Sequence, residues 1–306
     1  MHISLLGFVM LNQVLVTKNK NSRLGFSVRL FFTIGLHFRD LDLLLKIKEY
    51  LGCGYIVKNN NLNEVSFRVT SLEDLTNIII PQFSNYPLLT KKAADFKLFI
   101  QVIELMKNKA HLTTEGWLRP QEIINIKSSM NLGLSEELKK LKTVPVQRPT
   151  IKTKYIPDPN WISGFVSGEG NFFVDIFKSS SNKIGYQVKL RLSVTQHSRV
   201  ATLASRPEEL LELIALYLDA GIVNIHSENA FVFKITKLVD LTTKIIPFFE
   251  QYSIQGWLRP KQLDFLDFCE VAKIMSEGKH LTNEGLDLIR TIKSKMSGYA
   301  RKRKID

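Results

Sequence analysis

From Tyr186 to Gln196 the chain alternates between polar and apolar side chains. Gln187, Lys189, Arg191, Ser193 and Thr195 fall on one face, and Val188, Leu190, Leu192 and Val194 on the other. This is the period of a half-buried strand with a polar, basic outer face. Residues 26–34 repeat the device, with Ser27, Arg29, Phe31 and Thr33 opposite Val28, Leu30, Phe32 and Ile34, although the outer face is less charged. Shorter strands are predicted at 55–57, 65–69, 223–226 and 230–235, the first two separated by the turn-forming run 59–63. Helical spacing of apolar residues predicts helices over 40–51, 72–83, 94–108, 208–218, 238–252 and 263–276. The mixture is that of an α+β layered fold.

The same elements occur twice. Gly7-Phe8-Val9 recurs as Gly164-Phe165-Val166, Gly25-Phe26 with Val28 as Gly185-Tyr186 with Val188, and His37 with Arg39 as His197 with Arg199. Further on, Ile80-Pro81 matches Ile246-Pro247, and Lys92, Asp95-Phe96, His111-Leu112-Thr113 and Glu115-Gly116 match Lys261, Asp264-Phe265, His280-Leu281-Thr282 and Glu284-Gly285. A duplicated unit explains this pattern. The expected organisation is a first unit at 1–133, a linker at 134–160 whose prolines and charges break the periodicity, and a second unit at 161–306. Residues 200–207 have no counterpart in the first copy and read as a surface loop. The string GWLRP, at 116–120 and 256–260, falls at non-equivalent places, so the duplication does not explain it.

Composition narrows the partner. Lys and Arg number 42 against 29 for Asp and Glu, a formal net charge of +13 with a sequence pI near 9.6, which favours a polyanion, nucleic acid first. Cys53 and Cys269 lie far apart in apolar surroundings and suggest neither a disulfide framework nor a zinc site. The six histidines form no HExxH or Cys/His cluster, so any metal here would be held by carboxylates. The apolar start, residues 1–16, lacks a basic leader and a small-residue cleavage site and is too short to span a bilayer; it reads as buried helix and strand. With no other long apolar run, no membrane association is expected.

The chemistry concentrates in Trp161-Ile-Ser-Gly-Phe-Val-Ser-Gly-Glu-Gly170, preceded by Pro157-Asp-Pro-Asn160. Ser163, Gly164, Ser167 and Gly168, three or four apart, allow two helices to pack with their backbones almost touching. Glu169 then falls at the helix end. Two such helices crossing would bring two carboxylates together, and carboxylate oxygens are what Mg²⁺ prefers, the basis of a phosphodiester-cleaving centre. This segment resembles the LAGLIDADG motif. Together with VTQHSR, IIPFF, KQLDFLDF and KHLTNEGL, the resemblance to LAGLIDADG homing endonucleases covers nearly the whole chain.

That resemblance implies a monomer of two pseudo-symmetric αββαββα-like units, whose antiparallel sheets form a saddle on double-stranded DNA. It implies an intron-encoded, sequence-specific endonuclease that hydrolyses both strands at a long site with Mg²⁺ as cofactor. Glu169, with the backbone carbonyl of Gly168, is the expected metal ligand. Lys92 and Lys261 correspond to family lysines near the cleavage centre, which can stabilise charge developing on the phosphate. Ser27, Arg29, Thr33, Gln187, Lys189, Arg191, Ser193 and Thr195 are the expected contacts to bases or phosphates.

The first motif departs from the pattern. Aligning Gly7-Phe8-Val9 on Gly164-Phe165-Val166 sets Asn12 over Glu169 and shortens the path to the next strand. On that alignment a neutral amide replaces the first catalytic acid, metal affinity falls, and activity is reduced to nicking or to binding alone. A deletion, or a reading frame that starts upstream, would account for it. The competing reading is a non-catalytic maturase that binds its host intron RNA to assist splicing; a third is a transcription-factor-like DNA binder. Single-chain proteins of this kind are commonly encoded within introns of fungal mitochondria. Translation inside the mitochondrion would explain why no transit peptide is seen.

Overall fold

A computed structural model describes residues 9–19, 26–90, 92–107, 118–131, 133–151, 155–197, 207–228, 230–254 and 259–296. Of these, 9–11, 39, 118–120, 207, 259 and 260 are described by backbone alone. The described residues fall into two compact units, 9–151 and 155–296. The expected loop at 200–207 and the helix expected ahead of the first strand lie outside the described residues, residue 207 and Val9 apart.

In the first unit β1 (Val9–Lys18), β2 (Phe26–His37), β3 (Tyr55–Asn59) and β4 (Glu64–Val69) form an antiparallel sheet of order β1-β2-β4-β3, with α1 (Leu41–Leu51) between β2 and β3. Alternation fixes its faces as the sequence predicts. Leu30, Phe32, Ile34, Val65, Phe67 and Val69 are buried together with Leu43, Leu44 and Ile47 of α1. The helix expected at 72–83, α2, runs through Leu72–Asp74, Leu75–Ile79 and Ile80–Asn85, and its middle segment is wound as a π-turn. Pro81 is the reason: it lacks the N–H that a regular α-turn needs, and the backbone widens just before it. Two helices complete the unit, α3 (Lys92–Lys107) and α4 (Leu118–Ser128).

The expected linker is not a free tether along its first half. After a single helical turn at Glu136–Lys139, the extended chain is laced to α4 and the residues just after it. Gln121 Nε2 donates to the Lys142 carbonyl (2.8 Å), Val144 N–H to Asn125 Oδ1 (3.0 Å), and Ser129 Oγ to the Val146 carbonyl (2.7 Å). Arg148 Nη1 donates both to the Ser129 carbonyl and to Asp95 Oδ1, each at 2.7 Å. Asp95 also accepts the backbone and side-chain N–H groups of Asn131.

The second unit runs α5 (Pro159–Glu169), β5 (Gly170–Lys178), β6 (Tyr186–His197), α6 (Pro207–Leu218), β7 (Ile222–Ser227), β8 (Ala230–Ile235) and α7 (Leu238–Asp240, Leu241–Ile245, Ile246–Gln251). Its sheet order is β5-β6-β8-β7. This is the αββαββα order, and α8 (Arg259–Ser276) and α9 (Asn283–Lys295) are added to it. The π-turn recurs ahead of Pro247. Phe172 of β5 sits in an aromatic core, its ring centroid 6.1 Å from that of Phe249, 5.3 Å from Phe265 and 5.2 Å from Phe268.

Strand pairing corrects one expectation. Lys18 lies opposite Phe26 as Lys178 lies opposite Tyr186, and Asn12 lies opposite Phe32 as Phe172 lies opposite Leu192. The first two strands of each unit therefore share one frame without a gap. In that frame Asn12 corresponds to Phe172, not to Glu169, and the residue corresponding to Glu169 is Val9. No deletion separates motif from strand; the Gly-Phe-Val triplet matches three residues out of frame. Hydrogen-bonded register, which sequence alignment does not see, decides between the two.

The GWLRP strings also acquire a physical setting. Leu118 opens α4 and Arg259 opens α8, so both copies run into a helix start, where proline lacks only an N–H that the first turn leaves unbonded anyway. The helices are non-equivalent, which is why the repeat does not predict them.

Candidate nucleic-acid interface and catalytic helix end

Asp158 starts α5: its Oδ1 accepts the Asn160 N–H at 2.7 Å, and Pro159 occupies the first turn. Every side-chain position from Trp161 to Ser167 is buried. Trp161 stacks on Phe165 with centroids 4.9 Å apart. Ser167 Oγ donates to the Ser163 carbonyl, and Ser163 Oγ to the Ser253 carbonyl. Such all-round burial is the mark of a helix enclosed on every side. It ends at exposed Gly168 and half-buried Glu169.

Gly170 makes the junction with β5 possible. A Cβ there would lie 2.6 Å from Val166 Cγ1 and 2.7 Å from the Val166 carbonyl oxygen, so only glycine admits the close turn from helix into strand. Against this turn lies Lys261, near the start of α8. Its Nζ donates to the Gly170 carbonyl and stands 3.5 Å from Asn171 Oδ1. Lys261 thus places a cation beside the residue that follows Glu169. Lys92, its counterpart in the repeat, opens α3, with its N–H 3.3 Å from Thr90 Oγ1.

On β6, Gln187, Lys189, Arg191 and Thr195 are open to solvent to different degrees. Ser193 is on the same face but only 5% exposed, and Thr33, its counterpart on β2, only 7%. Both are corrected as base contacts: the alternation gives the right face, but neither side chain offers open surface. On β2, Ser27 and Arg29 remain accessible.

Sequence reasoning missed β5 as part of this surface. Asn171, Phe173, Asp175 and Phe177 lie opposite Ser193, Arg191, Lys189 and Gln187. Arg191 Nε donates to Asp175 Oδ2 at 3.1 Å, and the guanidinium carbon lies 4.3 Å from the Phe173 ring centroid. Lys189 Nζ is 5.2 Å from the Phe177 centroid. Lys234 of β8, opposite Ser193, extends the basic face. The signal was there, in Asn-Phe-Phe-Val-Asp-Ile-Phe, but phenylalanine on both faces blurs the alternation.

Among the described residues no group of three or more His, Cys, Asp or Glu could hold a metal by itself, and no helix is long and apolar enough to cross a membrane. At the end of α5 stand the half-buried carboxylate Glu169 and, before it, the exposed residue Gly168 with its backbone carbonyl. These hard oxygen donors suit a divalent cation whose remaining ligands come from water and phosphate.

The sequence profile described as LAGLIDADG endonuclease matches residues 12–103 and 162–272. The chain belongs to the LAGLIDADG endonuclease family. Among its relatives is the probable intron-encoded endonuclease 3 of Neurospora crassa, 42% identical over 281 residues, 90% of this chain; the match spans 50% of that relative, so the chain covers about half its length. Solved LAGLIDADG structures agree along the whole fold. I-SmaMI bound to cleaved DNA is 39% identical with a TM-score of 0.88, covering 97% of this chain and 96% of that one. I-SmaMI bound to its uncleaved target in the presence of calcium ions gives 39% and 0.85, covering 96% and 97%.

Proposed function

We propose that this LAGLIDADG protein is an intron-encoded homing endonuclease of the mitochondrion that acts as a monomer on a long specific site in double-stranded DNA, with Mg²⁺ as its metal. The observation that carries this reading is the helix end where Gly168 and Glu169 precede Gly170, whose carbonyl holds the Lys261 ammonium, in the unit that carries a polar, basic strand face. Binding is supported by the accessible Gln187, Lys189, Arg191 and Thr195, with Ser27 and Arg29 on the other sheet; the near-complete overlap with a DNA-bound I-SmaMI structure supports the substrate class.

Glu169 and the Gly168 carbonyl would hold the metal, which supplies an activated water and neutralises phosphate charge. Lys261, fixed on the Gly170 carbonyl, presents positive charge to a scissile phosphate, and Lys92 stands at the equivalent place in the first unit. At the place of Glu169 the first unit carries Val9, which is not an acid. Nicking of one strand is therefore expected to outpace cutting of both.

The test is to incubate the full chain with Mg²⁺ and a supercoiled plasmid carrying the intron-free insertion junction, beside Glu169→Gln. Open-circular product from the natural chain, reduced about a hundredfold or more in the variant with DNA binding retained, is the expected result. Absence of both nicking and cleavage, or equal activity of the variant, would overturn the reading.

A further inference from the structure

On the open face of the second sheet, the ladder Phe173, Arg191, Asp175, Lys189, Phe177 alternates aromatic, cation, anion, cation, aromatic. Resting on the proposal that this face reads DNA, we infer that Asp175 and Phe173 are positioning residues that turn Arg191 from a general phosphate anchor into a reader of one guanine.

The argument begins with the donors of the guanidinium. Arginine carries five N–H groups in a planar fork. Asp175 Oδ2 takes the Nε donor, at 3.1 Å, so the side-on edge formed by Nε and one Nη is occupied. What remains is the end-on edge, where Nη1 and Nη2 present two parallel donors. Phe173 fixes the plane: the guanidinium carbon is 4.3 Å from its ring centroid, within the range of a cation–π contact. Arg191 is then held at both the edge and the face.

Charge points the same way. A phosphate is attracted by net positive charge, and the adjacent carboxylate cancels that of Arg191. A bidentate pair of donors, by contrast, needs two acceptors at fixed spacing, and in the major groove only guanine offers O6 and N7 together; adenine substitutes a donor for one of them. Holding the fork in advance removes part of the rotamer entropy otherwise lost on contact.

The first sheet lacks this device. In the common frame Phe31 stands at the place of Arg191, Leu15 at that of Asp175 and Gln13 at that of Phe173. Of its two arginines, Arg29 lies opposite Leu15 and is exposed, and Arg68 of β4 lies between Thr33 and Tyr55; neither has a carboxylate at a paired or diagonal position on a neighbouring strand. Arg191 is thus aimed by a carboxylate, and Arg29 and Arg68 are not.

The test uses the full chain and duplex DNA selected by binding from a randomised library, each base pair of the selected site then varied in turn. The natural chain is expected to favour guanine at one position by roughly 5- to 150-fold, and Arg191→Ala to erase that preference. Asp175→Asn should remove most of the same preference while leaving the base preferences at other positions unchanged, and should steepen the salt dependence of binding because a cation is unmasked. Phe173→Leu keeps the apolar volume, removes the aromatic face and should lower the same preference; a thermal melt confirms that each variant is folded. If Arg191→Ala loses a guanine preference that Asp175→Asn and Phe173→Leu both retain, the positioning role is wrong while the reading of the face stands. Uniform weakening on every sequence by Arg191→Ala overturns both.

Discussion

Asn12 stands on the buried face of β1 at the place that Phe172 fills on β5. Phe172 meets three other rings there, whereas the Asn12 side chain is 9% exposed and its Oδ1 has no hydrogen-bond partner among the described residues. A buried, unmet carbonyl costs about 1–3 kcal/mol.

Asn12→Leu is therefore expected to stabilise the protein by about 1–3 kcal/mol, read as a higher Tm in thermal unfolding, with DNA cleavage unchanged. Asn12→Asp is expected to destabilise it without raising cleavage, because the position faces the core. A gain of double-strand cutting in Asn12→Asp would restore the out-of-frame alignment and refute the register argument.

Lys261→Met keeps the length of the side chain and removes its charge. Since the ammonium sits on the Gly170 carbonyl beside Glu169, the cleavage rate should fall by roughly 10²–10³-fold, while Kd for the target changes only a few-fold. Single-turnover kinetics beside an equilibrium binding titration separate the two. A loss confined to Kd would make Lys261 a binding residue only.

Asp95 gathers Arg148 and two N–H groups of Asn131 while its side chain is only 14% exposed. Asp95→Ala strands the guanidinium of Arg148 and should lower stability by about 2–3 kcal/mol. The segment 141–151 should become the first site of cleavage in limited proteolysis, as mapped by mass spectrometry. An unaltered digestion pattern would show that the strap is held by its backbone bonds alone.

Burial, and to a lesser degree the nearby Glu250, push the Cys269 thiol up to about 12. In the unfolded chain the thiol ionises above about 9, in the folded protein only near 12, so the unfolded state sheds its proton first. Stability present below pH 9 is thus lost progressively as pH climbs towards 12. Below that window the thiolate needed for alkylation is scarce. Native protein at pH 8 should take up iodoacetamide at Cys269 far more slowly than denatured protein, and equal rates would contradict the burial.

Periodicity made the central strands and most helices legible, because β2 and β6 each bury one face and show the other. Depth was not legible: Thr33 and Ser193 obey the alternation yet lie covered, since parity names a face and not its exposure. α4 and α9 escaped notice because short charged segments carry few apolar positions; α9 buries only Gly285, Leu286, Ile289 and Ile292. The frame of the first motif was misread for a different reason. A three-residue match outweighed nine residues of strand whose common register becomes visible only when hydrogen bonds pair them. The contact of Lys261 with the turn after Glu169 joins residues 91 apart in sequence, and the repeat marked the lysine without saying what it touches.

The alternation along β6, broken where Ser193 is covered, divides the demands made on neighbouring codons. Even-numbered positions answer to the packing of the interior, and odd-numbered ones to whatever lies against the outer surface. Substitution at the accessible odd positions, Gln187, Lys189, Arg191 and Thr195, can alter the outer surface without unsettling the interior. An outer surface can in this way be rewritten while the scaffold beneath it stays intact.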